Sequence, residues 1–210
     1  MAMIARQFGR PHGPLGRLIG RGMARANAPF SRWVMQEISG NYQDNFEKIA
    51  ELGPGPGIGL EEALRRFPRA RVWGIDPSPE MLSQSRKRNL AEARAGRLTL
   101  VQGSAAALAG AAPIDAIVAN HVLYFWHQPA EELRLIHGFL RPGGLLALGY
   151  QLRQNMPPMA QKHFPQQGHR LYASDDEVAE LLRAAGFAAV NHKVKGPPEA
   201  PAGRVSLATA

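Results

Sequence analysis

Cysteine is absent from all 210 residues, which excludes disulfides, thiolate nucleophiles and thiolate zinc sites. No apolar run approaches the ~20 residues of a membrane span. The N-terminus has no continuous apolar core of a secretory signal. A cytoplasmic protein without a membrane partner is the expectation. Acidic residues are missing from the first 36 positions, where Arg6, Arg10, Arg17, Arg21, Arg25 and Arg32 supply six of the 25 basic side chains. The rest of the chain holds 19 basic and 17 acidic residues, so the net charge of +8 belongs mostly to an arm. With no long basic track in the remainder, a nucleic-acid partner is not expected. The length suits one α/β domain with a single sizeable core.

What is present centres on residues 49–59, Ile-Ala-Glu-Leu-Gly-Pro-Gly-Pro-Gly-Ile-Gly, an apolar run breaking into alternating glycines. A second short strand follows and ends in an acid, Val72-Trp73-Gly74-Ile75-Asp76. Gly53, Gly55 and Gly57 let the backbone turn sharply and come close to a ligand. Asp76 can accept bonds from both hydroxyls of a ribose. The dinucleotide pattern G-x-G-x-x-G fails in every register: the sixth positions are Ile58, Leu60 and Glu62. Pro54 and Pro56 have no N–H to offer a pyrophosphate. No Gly-Lys-Ser/Thr follows, so a Walker loop is excluded as well. The acid Glu51, two residues before Gly53, suits a ligand with a cationic end and no phosphate.

These segments resemble the class I S-adenosylmethionine-dependent methyltransferases. Glu51-Leu52-Gly53-Pro54-Gly55-Pro56-Gly57 looks like their first motif, and Gly74 to Leu82 like the second-strand acid with its helix start. Val101-Gln102-Gly103-Ser104-Ala105, Ile114 to His121, and Leu140-Arg141-Pro142-Gly143-Gly144 match the third strand, the fourth strand and the turn before the fifth. The resemblance implies S-adenosyl-L-methionine as cofactor. Glu51 is then expected to meet the methionine amino group and Asp76 the ribose. Pro77 and Met81 would sandwich the adenine. Gly53, Pro54, Gly55, Gly57, Gly103, Ser104, Ala105 and Asn120 complete the expected cofactor site. Ser104 stands where the family often has an aspartate that accepts from the adenine amino group.

The expected reaction is in-line methyl transfer to a small-molecule acceptor, whether hydroxyl, carboxyl or amine. The alternatives are a non-catalytic S-adenosylmethionine-binding protein and an enzyme acting on RNA or protein. After the fourth strand, His121 and Val122 replace the prolines of the Asn/Asp-Pro-Pro-aromatic motif, which removes support for nucleic-acid amines and glutamine as acceptors. His121 and His127 are the candidate catalytic bases. Tyr124, Tyr150, His169 and Tyr172 are the candidate substrate-binding residues. No metal site is expected, because His121 and His127 lack helical i,i+4 spacing.

The fold implied is doubly wound α/β. It has a mostly parallel seven-stranded sheet, an antiparallel edge hairpin, an N-terminal helical arm or lid over residues 1–40, and the methyltransferase domain over 41–210. In the arm, Leu15, Leu18, Ile19, Met23 and Ala26 recur at helical spacing opposite Arg17, Arg21 and Arg25. A separate helix is expected from Pro29 to Ile38. Strands are expected at Lys48–Leu52, Arg71–Ile75, Leu98–Gln102, Ala116–Asn120 and Leu145–Tyr150. Two closing strands would run from Phe187 to Val194 and from Arg204 to Thr209. Helices are expected after the glycine loop, from Pro79 to Ala95, from Ala130 to Leu140, and from the Ser174 capping box to Gly186. Residues 151–173 read as a long loop without elements of its own.

Overall fold

A computed structural model describes residues 13–42, 46–197 and 199–210, with the backbone alone for 13–21, 23–25 and 41. The start of the arm lies outside the described residues. So do the side chains of Leu15, Leu18, Ile19 and Met23, and of the arginines set against them.

Seven strands form one sheet in the order β3-β2-β1-β4-β5-β7-β6. They are β1 (Lys48–Leu52), β2 (Arg71–Asp76), β3 (Leu98–Gln102), β4 (Ile114–Asn120), β5 (Leu140–Tyr150), β6 (Val190–Lys195) and β7 (Gly203–Thr209). β1 to β5 pair in parallel, while β7 runs antiparallel to both β5 and β6. The expected architecture is therefore observed, edge hairpin included. Both faces of the sheet are covered, and the sequence shows why. Ile117 and Ala119 enter one core cluster and Ala116 and Val118 the other, as the two-residue strand period requires.

The helices are α1 (Gly13–Asn41), α2 (Ile58–Arg66), α3 (Pro79–Arg88), α4 (Leu90–Arg94), α5 (Pro129–Phe139), α6 (Pro158–Gln166) and α7 (Asp175–Ala184). α1 and α2 cover one face, through Phe30, Val34, Met35, Ile38, Leu60 and Leu64. α5 and α7 cover the other, through Leu133, Ile136, Val178 and Leu182. Ser78 and Ser174 cap α3 and α7 by accepting from the backbone N–H groups of Met81 and Glu177. Among the described residues, no helix is long and apolar enough to cross a membrane.

Three expectations are corrected. The arm and the Pro29 helix are one element, with Pro29 inside α1. The buried spacing of Phe30, Val34, Met35 and Ile38 outweighs the hydrogen bond that a proline removes. The helix expected to run from Pro79 to Ala95 breaks at Asn89, whose side-chain amide donates to the carbonyl oxygens of Ser85 and Gly57, both at 3.1 Å. That amide competes with the helix ladder and ties it to the glycine loop. Residues 151–173 are not a bare loop. They hold a short 3₁₀ turn at Arg153–Asn155 and α6, which starts just after Pro157 and buries Phe164.

Candidate active site

The chain order reverses between β1 and β4, and the crevice above the carboxyl ends of such strands is where doubly wound folds bind ligands. A cavity of about 880 Å³ opens there. Its floor is the glycine loop. Gly53, Gly55 and Gly57 have φ of 65°, 52° and 83°, a region that side-chain-bearing residues rarely adopt. At Gly53 a Cβ would also sit 2.3 Å from Val122 Cγ1.

Asp76 holds this loop in place. One carboxylate oxygen accepts from the Gly55 N–H at 3.0 Å, and the other from the Ser78 N–H at 2.8 Å. Burial raises its pKa, opposed by those two bonds. Glu51 is the more unusual acid. It is 3% exposed, and its Oε2 has no hydrogen-bond partner among the described residues. Burial, reinforced by the nearby Asp76 carboxylate and opposed by the Asn120 amide, pushes its pKa up to about 8. Asn120, at the end of β4, is also buried; its amide lies close enough to Glu51 to act on that carboxyl, but neither of its polar atoms makes a well-formed hydrogen bond among the described residues. Buried polar groups are normally hydrogen-bonded, so open ones that line a cavity need an explanation.

His121 follows Asn120 and is the one described non-glycine residue with positive φ, at 56°. Such a backbone costs of order 1–3 kcal/mol and marks sites that need an unusual geometry. The His121 N–H donates to the Gly149 carbonyl oxygen at 2.8 Å. Burial lowers its imidazole pKa to about 4, so the ring is neutral and can accept a proton or a hydrogen bond at physiological pH.

Of the residues expected from sequence, Glu51, Gly53, Pro54, Gly55, Asp76, Pro77, Met81, Gly103, Ser104, Ala105, Asn120, His121 and His127 line this one cavity. Gly57 does not. It packs beneath the loop, where a Cβ would lie 2.4 Å from Ser85 Oγ. The four expected substrate residues are also placed elsewhere. The Tyr124 hydroxyl, whose pKa burial raises, accepts from the Gln151 N–H and donates to the Gln151 carbonyl. The Tyr150 hydroxyl donates to Asp175 at 2.7 Å and accepts from Ser206 at 3.2 Å. Tyr172 is fully buried, with its pKa pushed up to about 12 by burial. His169 lies outside the lining, its ring 6.3 Å from that of His127, and burial lowers its pKa. Aromatic residues near a strand-end cavity attract substrate assignments, but the packing used the three tyrosines as core.

Sequence reasoning missed Asn27 and Ser31 of α1 and Gln128, Glu131, Glu132 and Leu135 at the start of α5, all of which line the cavity. Asn27 and Ser31 carry a signal in retrospect, two polar residues four apart beside the buried Phe30. In α5 there was none, because solvent-facing polar residues look the same.

A parallel sheet with a left-handed glycine loop after β1 and an acid closing β2 defines a nucleoside-binding domain. Within that class the particular family is shown: a family model described as a methyltransferase domain matches residues 24–192, and the chain belongs to this family. It is 34% identical over 128 residues to a trans-aconitate 2-methyltransferase of Azoarcus sp. (strain BH72), covering 61% of this chain and 44% of that one. It is 26% identical over 175 residues to the uncharacterized methyltransferase YdaC of Bacillus subtilis (strain 168), covering 82% of this chain and 87% of the relative. The chain thus spans less than half the length of the trans-aconitate relative. The fold is similar to an O-methyltransferase family protein from Burkholderia thailandensis, with TM-score 0.73, 19% identity and coverage of 94% and 60%. It is also similar to human N-acetylserotonin methyltransferase in complex with SAM, with TM-score 0.71, 18% identity and coverage of 93% and 55%.

Proposed function

We propose that this chain transfers the methyl group of S-adenosyl-L-methionine to a small-molecule acceptor. The observation that carries the reading is the buried pair of Glu51 and Asn120, which make no well-formed hydrogen bond through Oε2 or the amide, in the same cavity as the glycine loop and Asp76. When bound, the cofactor supplies a methyl group already activated on a sulfonium, so the protein has to align, desolvate and move at most one proton. Glu51 would hold the ammonium of the methionine moiety, Asp76 the ribose hydroxyls, and Pro77 and Met81 the faces of the adenine. Asn120 would offer its amide to the methionine end, while His121, neutral at physiological pH, would accept a hydrogen bond from an acceptor hydroxyl. α1 would roof the cavity through Asn27 and Ser31. A cavity of this volume sits in the upper range of small-ligand pockets. That room favours a compact acceptor beside the cofactor, in keeping with relatives named for methylating trans-aconitate.

Calorimetry should show S-adenosylhomocysteine binding and no NAD binding, and a screen of small phenols, acids and amines should then release S-adenosylhomocysteine with one of them. Tight NAD binding without affinity for S-adenosylhomocysteine would overturn the reading. With a hydroxyl acceptor, His121→Ala should slow turnover, but by less than the roughly 10²–10⁴ of a base whose pKa matches the working pH, because its own lies at about 4. The deficit should shrink as pH approaches the acceptor's own pKa. Because burial keeps His121 unprotonated down to pH about 4, the parent should show no acid limb from this residue between pH 5 and 8. A variant with parental turnover removes His121 from the chemistry.

Gly59 supplies a separate test of Glu51. A Cβ there would meet Glu51 Oε1 at 2.1 Å and Cδ at 2.6 Å, so Gly59→Ala must displace the carboxyl group. Inside α2 the alanine itself favours the helix. Affinity for S-adenosylhomocysteine should therefore fall by about tenfold or more, the scale of one charged hydrogen bond, without a matching loss of thermal stability. Parental affinity in this variant would show that the cofactor does not depend on Glu51.

A further inference from the structure

We infer that Phe30 is a positioning residue for His121, making the docking of α1 and the aim of the imidazole one event. The inference deepens the proposed function and rests on the cavity being the methyl-transfer site.

Phe30 is 4% exposed and occupies a slot that two glycines of the sheet leave open. A Cβ on Gly149 of β5 would lie 2.8 Å from its Cε1, and one on Gly203 of β7 only 2.3 Å from its Cε2. No side chain could be added at either position without expelling the ring. The same ring packs against His121, with centroids 4.6 Å apart and planes tilted by 37°. Gly149 serves both partners, since its carbonyl oxygen accepts the His121 N–H at 2.8 Å. The His121 backbone sits in an unusual geometry, at a φ of 56°. What orients the ring comes from a neighbour, and that neighbour lies on a different element.

On α1, Asn27 and Ser31 flank Phe30 and line the cavity. One helix segment thus contributes the roof and the surface against which the imidazole rests. When α1 leaves the sheet, His121 loses its ring partner and the cavity loses two polar groups together. A ligand that bonds Asn27 or Ser31 stabilises the docked helix, and through Phe30 it stabilises the aimed histidine. Coupling of this kind is reciprocal: disturbing His121 must loosen α1 as well.

A double-mutant cycle tests this, read by amide hydrogen exchange across residues 31–38 of the full chain. Phe30→Ala could prevent the helix from docking at all, so the cycle uses Phe30→Leu, which keeps the slot largely filled. It is combined with His121→Ala. The product of the two single-variant accelerations should exceed that of the double variant by roughly 2- to 12-fold, the range for an aromatic pair. In Phe30→Leu with α1 still protected, the Hα–Hβ couplings of His121, which report its χ1 rotamer and not the ring current of Phe30, should change from one fixed rotamer to an average over several. A helix held only by packing would not change that signature. Multiplicative accelerations, or an unchanged His121 rotamer in Phe30→Leu, overturn the inference. Calorimetry with S-adenosylhomocysteine on the parent separates the two readings, because failure to bind removes the methyl-transfer site while the exchange cycle still measures the coupling.

Discussion

Asp76→Ala should weaken S-adenosylhomocysteine binding by roughly 10- to 150-fold, equivalent to the ~1.5–3 kcal/mol of charged hydrogen bonds. The carboxylate works in two directions. It fixes the loop through the Gly55 and Ser78 N–H groups, and in the proposed complex its remaining lone pairs would accept from the ribose hydroxyls. Asp76→Asn should prove less conservative than its shape suggests. The amide presents a donor on one side, while both existing partners are donors, so either Gly55 or Ser78 must face an N–H. The asparagine variant should therefore lie closer to alanine than to the parent when measured by calorimetry. An Asp76→Ala protein with parental affinity would show that the ribose is held elsewhere.

The second large effect is a pH dependence with opposite signs for stability and for binding, both set by Glu51. In the unliganded protein its pKa is raised from 4.5 to about 8. The folded state therefore keeps a proton that the unfolded state has already released. Between those two values the unfolded state binds fewer protons, so stability falls as pH rises, by up to about 1.4 kcal/mol per pH unit from this group. Above pH about 8 the contribution is flat, and below the unfolded value it is fully favourable. Binding runs the other way. A ligand ammonium requires the ionised carboxylate, so below pH about 8 complex formation releases a proton, and affinity should rise by up to about tenfold per pH unit. From pH 6 to 8 that amounts to as much as ~10²-fold. Calorimetry in buffers of differing ionisation enthalpy should register the released proton, and Glu51→Gln should abolish both slopes while lowering affinity. An affinity that is level from pH 6 to 8 would mean that Glu51 is not the ammonium partner.

Much of the architecture was legible because it depends on local signals. The strand period of two, the glycine loop, the acid ending β2 and the Ser174 cap each declare themselves within a few residues. The clustering of the glycine loop, Asp76 and Asn120 around one cavity was legible for the same reason. What was hidden depends on competition across the fold. Asn89 looked like an ordinary helix position, and only its distance to the Gly57 carbonyl explains the break. Pro157 and Pro158 fell inside the stretch read as a loop, yet they start α6. Tyr150 and Tyr172 had the right chemistry for a site and the wrong direction, since their strand and loop turn them into the core. Asn27 and Ser31 reach the cavity only because α1 continues through Pro29.

The position of β7 has a consequence for the order in which the molecule is made. It follows β6 in the chain but lies between β5 and β6 in the sheet. While a ribosome is still translating the preceding residues, β5 has no neighbour on that side, and β6 has nothing in the sheet to pair with. Six strands can therefore be synthesised while only five are zipped. The seventh, buried along Val205 to Ala208, must emerge before the sixth can join. Until then the open edge of β5, apolar from Leu145 to Tyr150, is the segment of the nascent chain most in need of cover.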